Sequence, residues 1–160
     1  MILTLIFCLI LIQYNALYYL ITVMGGNVFV NCLLMGCGEM IAGLLSGYFL
    51  SKFKDTSVFL AANLLVAIFY PIFYLVPTGI LQYACLLLTV LGVCTQFNTI
   101  YIIVELRIPP ENVGSALVIV MTFAAMASAV APLISQLGFP STMLCILVIV
   151  IVNIALTCFL

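Results

Sequence analysis

Long apolar stretches, separated by short breaks, run through the whole chain. A helix needs about 20 apolar residues to cross the hydrocarbon core of a bilayer. Six stretches reach that length, and the predicted segments are approximately 2–23, 28–50, 57–76, 80–104, 113–137 and 142–160. The breaks hold turn-forming residues such as Gly25-Gly26, Pro77-Thr78-Gly79 and Pro109-Pro110. Pro71 and Pro132 fall inside segments and predict local kinks, which membrane helices tolerate.

Composition supports the same interpretation. Of the 160 residues, 68% are hydrophobic and only 4% are charged, and the mean hydropathy is +1.52. Soluble domains carry about 25% charged residues, so a soluble globular fold is excluded. Period-2 alternation is absent, which argues against a transmembrane barrel. We therefore predict an all-α, polytopic bundle of six transmembrane helices, with residues 1–160 as one domain in a lipid bilayer.

The basic residues predict the orientation. Lys52 and Lys54 lie between the second and third segments, and Arg107 lies between the fourth and fifth. With six spans these two loops share one side, which the positive-inside rule makes cytoplasmic. Both termini are then expected in the cytoplasm, and the sequence does not say which membrane is crossed. The start lacks the basic region and the cleavage site of a secretory signal.

Several kinds of chemistry find no support. The chain has no His, and none of its seven Cys residues forms a C-x-x-C pair, so we expect no metal and no cofactor. The cysteines are interpreted as small packing residues. Asp55 is the only Asp and lies in a loop, so the pair of Asp residues needed for intramembrane proteolysis is absent. Without a basic patch, nucleic acid is not an expected partner. We predict that the chain is not an enzyme.

Glu39 is the only ionisable acid or base near the middle of a segment. An acidic side chain at a helix centre costs about 2.5–3.5 kcal/mol to insert. A group this costly is a candidate functional residue, which could exchange a proton or attract a cationic solute. The alternative is a protonated Glu39 that only forms hydrogen bonds across helices.

Other polar side chains in the first, second and fourth segments could surround this acid. They must face other helices or water, because lipid does not solvate them. The predicted site for a substrate or a proton comprises Glu39, Asn31, Tyr14, Tyr18, Tyr19, Gln96 and Asn98. The alternative is a belt of interfacial tyrosines plus interhelical hydrogen bonds. The spacing Gly43-x-x-x-Gly47 and the small residues from Ala124 to Ala131 predict close helix contacts.

Several motifs occur in an order that resembles a known family. The run from Gly26-Asn27 to Asn31, with Glu39 eight residues later, resembles the eighth-helix motif of the organic cation/anion/carnitine transporter family of the major facilitator superfamily. Further similarity lies in Tyr18-Tyr19, in Tyr101 with Glu105-Leu106 and Pro109, in Asn112-Val113-Gly114 and in Ala131-Pro132.

The resemblance implies the C-terminal half of a twelve-helix transporter, helices seven to twelve. Such a half contains two inverted three-helix repeats, and the substrate binds between the two halves. The missing partner would be an N-terminal half or a second copy of this chain. The chain stops at Leu160 without the family's usual tail, which favours a fragment.

The resemblance also predicts gating loops, although these depart from the family pattern. They would use Lys52, Lys54, Asp55, Glu105, Arg107 and Glu111. The loop at 51–55 is poor in the expected charges, Glu111 stands where an Arg is expected, and Ala125 stands where relatives often have Asp or Arg. Glu39 then remains the only charge expected to face the pocket, which favours a cationic or zwitterionic solute or proton coupling.

Two functions follow as hypotheses. The first is half of a secondary transporter that moves a small organic solute by alternating access. The second is a membrane-embedded structural or accessory subunit that transports nothing itself, which the degraded gating loops favour.

Overall fold

The computed structural model describes residues 2–23, 27–77, 79–136 and 139–157, and every regular element in these ranges is an α-helix. The helices are α1 (Ile2–Val23), α2 (Val28–Lys52), α3 (Asp55–Leu75), α4 (Ile80–Arg107), α5 (Val113–Ser128), α6 (Ala131–Gln136) and α7 (Phe139–Thr157). Five described spans are long and apolar enough to cross a membrane, one of them formed by α5 and α6 together. The apolar stretch Ser141–Thr157 is shorter. The chain is thus an all-helical protein whose long helices are compatible with a multi-pass membrane bundle.

Local sequence explains where these helices begin and end. Asn27 caps α2, because its side chain accepts a 2.9 Å hydrogen bond from the backbone N–H of Phe29. Asp55 lies in the first turn of α3 and Arg107 in the last turn of α4, where each charge complements the helix dipole. The helix α4 ends just before Ile108-Pro109, since a residue that precedes proline disfavours helical geometry.

The expectation that the charged residues occupy loops is wrong for four of them. Lys52 ends α2, Asp55 begins α3, and Glu105 and Arg107 form part of the last turn of α4. Nothing in Glu105-Leu106-Arg107 breaks a helix, so α4 continues to the residue that precedes the Ile108–Pro109 step. Among the predicted gating residues, only Lys54 and Glu111 lie between helices.

Pro132 coincides with a break in the fifth predicted segment. Ala129 and Val130 form a turn between α5 and α6, and their N–H groups bond to the carbonyls of Met126 and Ala127 at 3.2 and 3.1 Å. Proline has no N–H to continue the ladder, so the chain tightens to i→i−3 bonds before it. By contrast, the helix α3 continues through Pro71.

Four helices form the centre of the bundle. In cyclic order, α1 packs against α4, α4 against α3, α3 against α7, and α7 against α1. The helix α2 lies mainly on α4, and α5 and α6 lie mainly on α1. This arrangement leaves a large part of α2 without a neighbour from the described chain.

The buried apolar side chains fall into two groups. The first cluster comprises Ala16, Leu17, Ile21, Met35, Ala42, Val66, Tyr70, Phe73, Cys85, Leu86, Val90, Val93, Cys94, Ala131, Ile146 and Val150. The second cluster comprises Ile6, Phe7, Ile10, Phe59, Ile100, Ile103, Val120 and Ala124. The helices α1, α3 and α4 contribute buried residues to both clusters, whereas α7 contributes to the first and packs Leu156 against the second.

Two glycines permit close helix contacts, but they are not the predicted pair. A Cβ on Gly92 would lie 2.5 Å from Val66 Cγ2, and one on Gly38 would lie 2.8 Å from Val90 Cγ1. A Cβ on Gly43 or Gly47 would meet no atom within 4 Å. The prediction that Gly43-x-x-x-Gly47 packs against another helix is therefore wrong among the described residues. The small residues of α5 include Ala124, which is fully buried in the second cluster.

Candidate functional site

Glu39 forms hydrogen bonds with two tyrosines that reach across from α1. The hydroxyls of Tyr14 and Tyr18 donate to Glu39 Oε1 at 2.9 and 2.5 Å. Because the two tyrosines are four residues apart, they share one face of α1, and their hydroxyl oxygens lie 3.2 Å from each other. We call Glu39, Tyr14 and Tyr18 the acid–tyrosine site. Both phenols therefore donate to the same oxygen of the Glu39 side chain.

Aromatic rings extend from this site along α1 and α4. Tyr14 stacks on Phe97, with ring centroids 6.0 Å apart and an angle of 18° between the planes. Phe97 meets Tyr101 and Phe7 edge to face at 5.1 and 5.7 Å. Sequence reasoning missed Phe97 and Phe7. The spacings Phe7 to Tyr14 and Phe97 to Tyr101 are helical repeats, which could have indicated aromatic stripes on two facing helices.

The tyrosines also border an open depression. It measures about 410 Å³ and is lined by Tyr14, Asn15, Tyr18 and Tyr19. Tyr18 and Tyr19 are 41% and 45% exposed, while the Asn15 amide donates to the carbonyl of Leu11 on its own helix at 2.9 Å. A small solute could reach the rings of Tyr18 and Tyr19 here without any displacement of the helices.

Three of the predicted site residues have other surroundings. Asn31 and Gln96 are fully buried, and their side-chain polar atoms bond to no atom of the described protein. The amide of Asn98 donates to the hydroxyl of Ser46 at 3.1 Å and so links α4 to α2. The structure therefore brings Tyr14, Tyr18 and Glu39 together, with Tyr19 beside them. It gives no hydrogen bond from Asn31, Gln96 or Asn98 to the acid, and the role of all seven remains a prediction.

The face of α2 that carries Glu39 is poorly covered. Gly36 lies one turn before Glu39 and Gly43 one turn after it, and both glycines are exposed with no atom within 4 Å of an added Cβ. Glu39 itself is only partly buried. By contrast, Met35, Ala42 and Ser46 occupy the buried face of the same helix. The acid therefore lies at the edge of the bundle, and both of its tyrosine partners belong to α1.

The predicted gating residues lie at the ends of helices. Lys52, Lys54, Glu105, Arg107 and Glu111 are exposed, and Asp55 is half-buried. The ammonium of Lys52 donates to the hydroxyl of Tyr48 at 2.7 Å and lies 4.6 Å from the centroid of the same ring. This basic group is thus engaged by its own helix, and a gating role for these residues remains a prediction.

A larger groove has a different character. It measures about 550 Å³ and lies among α2, α3 and α4, with Phe49, Val58 and Leu88 in its wall. Ser57 and Thr95 supply the only side-chain hydroxyls, and no charged residue lines it. The groove suits an acyl chain better than a charged solute, so the smaller depression beside Glu39 is the better candidate.

Neither a metal centre nor a known relative accounts for this site. Among the described residues, no three His, Cys, Asp or Glu side chains lie close enough to hold a metal ion. No model of a known protein family matches the chain, and no curated protein matches it either.

Proposed function

We propose that the chain is half of a secondary transporter that moves a small organic cation or zwitterion by alternating access. The observation that carries this proposal is the acid–tyrosine site. One carboxylate accepts hydrogen bonds from two tyrosines at the edge of an open depression, near the middle of a helix in lipid. An acid in such a position marks a functional site by default.

The chemistry of the site matches a cationic group. A carboxylate offers the opposite charge, and the faces of nearby tyrosines attract an alkylated ammonium through their ring quadrupoles. Tyr18 next to Glu39 is 41% exposed, so part of its ring surface is accessible from the depression. Proton uptake by Glu39 would weaken its attraction for the cation, so the same residue could couple release of the solute to proton movement.

The exposed face of α2 supports an arrangement in two halves. A polar group near the centre of a membrane helix needs protein or water around it, and the described chain buries Glu39 only partly. A second six-helix unit, either an N-terminal half or another copy of this chain, would close the other side. The solute would then bind between the two units, as in transporters built from repeats.

The packing of the helices favours two related triplets. The helix α2 lies on α4 much as the α5–α6 pair lies on α1, and α3 contacts α4 in the place where α7 makes a much smaller contact with α1. These pairs correspond when the first three spans are exchanged with the last three. We therefore propose two inverted three-helix repeats, with both termini and the loops near Lys52 and Arg107 on the cytoplasmic side.

Uptake measurements test the proposal. The full chain is reconstituted in liposomes, and entry of radiolabelled tetraethylammonium is compared between wild type, Glu39→Gln and Glu39→Asp. We expect saturable uptake by the wild type, loss of at least tenfold in Glu39→Gln, and partial retention in Glu39→Asp, which keeps the charge. Tyr83→Phe on α4 provides a control, because Tyr83 lies outside the site.

Two outcomes contradict parts of the proposal. Uptake by Glu39→Gln at the wild-type rate would remove Glu39 from the mechanism. Absence of uptake by every variant, including a preparation mixed with other membrane proteins from the same source, would favour a non-transporting structural or accessory subunit. The engagement of Lys52 by Tyr48 is the observation that favours this second function, because it withdraws a basic group from any gate.

A further inference from the structure

Among the buried amide side chains of the described residues, four are almost completely buried and lie one on each helix of the central ring. Gln13 of α1, Asn63 of α3, Gln96 of α4 and Asn153 of α7 are all 0–1% exposed. The carbonyl oxygen of each amide bonds to no atom of the described protein, and neither do the amide nitrogens of Gln13, Gln96 and Asn153. Asn63 donates to the carbonyl of Phe59 on its own helix at 2.9 Å. This number of buried amide atoms without hydrogen-bond partners is unusual, because nearly all buried polar groups in proteins find a partner.

The four amides share one level of the bundle. Along α1, Gln13 follows Ile10 of the second cluster and precedes Ala16 of the first. Along α3, Asn63 lies between Phe59 of the second cluster and Val66 of the first. Each helix therefore changes from one apolar cluster to the other at its amide.

The helices α4 and α7 also change cluster at their amides, but they pass from the first cluster to the second. Along α4, Gln96 lies between Cys94 of the first cluster and Ile100 of the second. Along α7, Asn153 follows Val150 of the first cluster and precedes Leu156, which packs against the second. The boundary between the clusters is thus a polar layer, which we call the amide layer.

The residue types repeat between the two halves of the chain. Gln13 and Gln96 belong to the first and fourth spans, whereas Asn63 and Asn153 belong to the third and sixth. Around the ring in the order α1, α4, α3 and α7, the two Gln residues are neighbours and the two Asn residues are neighbours. Two equivalent positions with the same amide suggest one shared site on the bundle axis, rather than four unrelated polar residues.

We propose that the amide layer binds ordered water molecules in the middle of the four-helix core. An amide offers two N–H donors and one carbonyl acceptor, so the layer presents donors and acceptors together. Water satisfies both kinds of group, and a buried water typically makes about three hydrogen bonds to groups that lack other partners. A cation would bond to the oxygens alone and leave the N–H groups without partners. No acid is among the buried side chains of the described chain, so nothing there would neutralise a cation. The site is separate from the acid–tyrosine site and does not depend on transport.

Water contact can be measured directly in the intact protein. The full chain, labelled with ¹⁵N, is placed in bilayers of deuterated lipid, and magnetisation is transferred from water to protein by solid-state NMR. We expect cross-peaks to the side-chain NH₂ groups of Gln13, Gln96 and Asn153 at short mixing times. The backbone amides of Val66 and Val90, in the first cluster, serve as dry controls. Amide signals as weak as these controls would overturn the proposal.

Coupling between the amides gives a second, independent test. Gln13→Met and Gln96→Met keep the side-chain length but remove the hydrogen-bonding atoms. We expect the double variant to lose less melting temperature than the sum of the two single losses, because the first substitution already disrupts the shared water. Thr89→Val is the matched control on α4, since Thr89 is fully buried and bonds to the carbonyl of Cys85 on its own helix. We expect the losses of melting temperature for Gln13→Met and Thr89→Val to add. If the losses for Gln13→Met and Gln96→Met also add, a shared layer is contradicted.

A cation in the layer would also contradict the proposal. The melting temperature of Glu39→Gln is compared in sodium chloride and in choline chloride at equal ionic strength, with Glu39 removed so that it cannot respond. We expect no difference between the two salts. A rise of several degrees in sodium would assign the layer to a cation instead.

Discussion

The two polar regions of the bundle satisfy their groups in different ways. In the acid–tyrosine site, the side chain of Glu39 near the edge of the bundle receives two hydrogen bonds from another helix. In the amide layer, neutral groups in the core receive almost none from protein. The first arrangement leaves an acidic side chain next to an open depression. The second places polar groups without charge where no solute from the bilayer can reach them.

The difference teaches that burial, rather than polarity, separates the two regions: the exposed polar groups are accessible to a solute, and the buried amides are not. Gln13 and Tyr14 are adjacent in sequence, yet Gln13 is 1% exposed and Tyr14 faces the depression. Likewise, Gln96 is buried while its neighbour Phe97 stacks on Tyr14. Consecutive residues on a helix are about 100° apart, so two neighbours can serve two regions.

The largest expected effect comes from moving a carboxyl group into the amide layer. Gln96→Glu places an acid where the described residues offer it no cationic partner, and the expected loss is about 3 kcal/mol in the free energy of unfolding. Glu39→Gln removes the existing acid and should change stability by less than about 1 kcal/mol, because the neutral amide is less costly in lipid. Unfolding by steric trapping in bilayers measures both. Equal losses would show that the two regions do not differ in burial.

Glycine substitutions test the same contrast through packing. Gly92→Val would force a Cβ into contact with Val66 and with the carbonyl of Ala62, and overpacking of this kind costs about 1–3 kcal/mol. Gly43→Val should leave stability unchanged within error, because its Cβ meets open space. Thermal unfolding in detergent compares the two variants. A loss in Gly43→Val as large as in Gly92→Val would reveal a partner on the exposed face of α2.

Removal of single hydroxyls resolves the contribution of each tyrosine. Tyr14→Phe and Tyr18→Phe each delete one hydrogen bond to the carboxyl group of Glu39. We therefore expect each variant to weaken binding of tetraethylammonium to the reconstituted chain about tenfold, which corresponds to a loss of about 1.4 kcal/mol in binding free energy. Tyr83→Phe, outside the site, should leave binding unchanged. Isothermal titration provides the measurement. Unaltered affinity in both site variants would mean that the tyrosines do not organise Glu39 for the solute.

The smallest expected effect concerns the link between α2 and α4. Asn98→Ala and Ser46→Ala, taken singly and together, should show a coupling energy of about 0.6 kcal/mol, the average for polar contacts between membrane helices. The coupling between Asn98→Ala and Thr89→Val should be zero, since Thr89 bonds within its own helix. A double-mutant cycle by thermal unfolding provides both values. Zero coupling for Asn98 and Ser46 would mean that their contact does not stabilise the bundle.

Much of the helical framework follows from local sequence, whereas the partners of the polar residues do not. The stop of α4 before Ile108-Pro109 and the break near Pro132 depend on neighbours in the chain, so proline chemistry predicts their positions. The pairing of Glu39 with Tyr14 and Tyr18 joins residues more than 20 positions apart. Spacing indicated that the tyrosines share a face, but it could not say that this face meets α2.

The glycines illustrate the same limit. Gly43 and Gly47 have the spacing of a contact motif, yet the close contacts use Gly38 and Gly92. Helical periodicity reveals which residues share a face, but every face of a membrane helix can be apolar, so it does not reveal which face is covered. For the same reason, Gln96 was assigned to the pocket wall although it lies in the core.

The sequence by itself determined that the chain is helical and suited to lipid, where most helices begin and end, and which charge is isolated at mid-helix. These properties depend on hydropathy, proline and caps, which act over a few residues. Only the tertiary structure decided that Glu39 lies at a partly covered edge beside two tyrosines, while four buried amides lie where their helices pass from one apolar cluster to the other. In lipid, a helix can be apolar on every side, so hydropathy does not indicate which side faces the other helices. Helix packing alone selects which polar groups face one another.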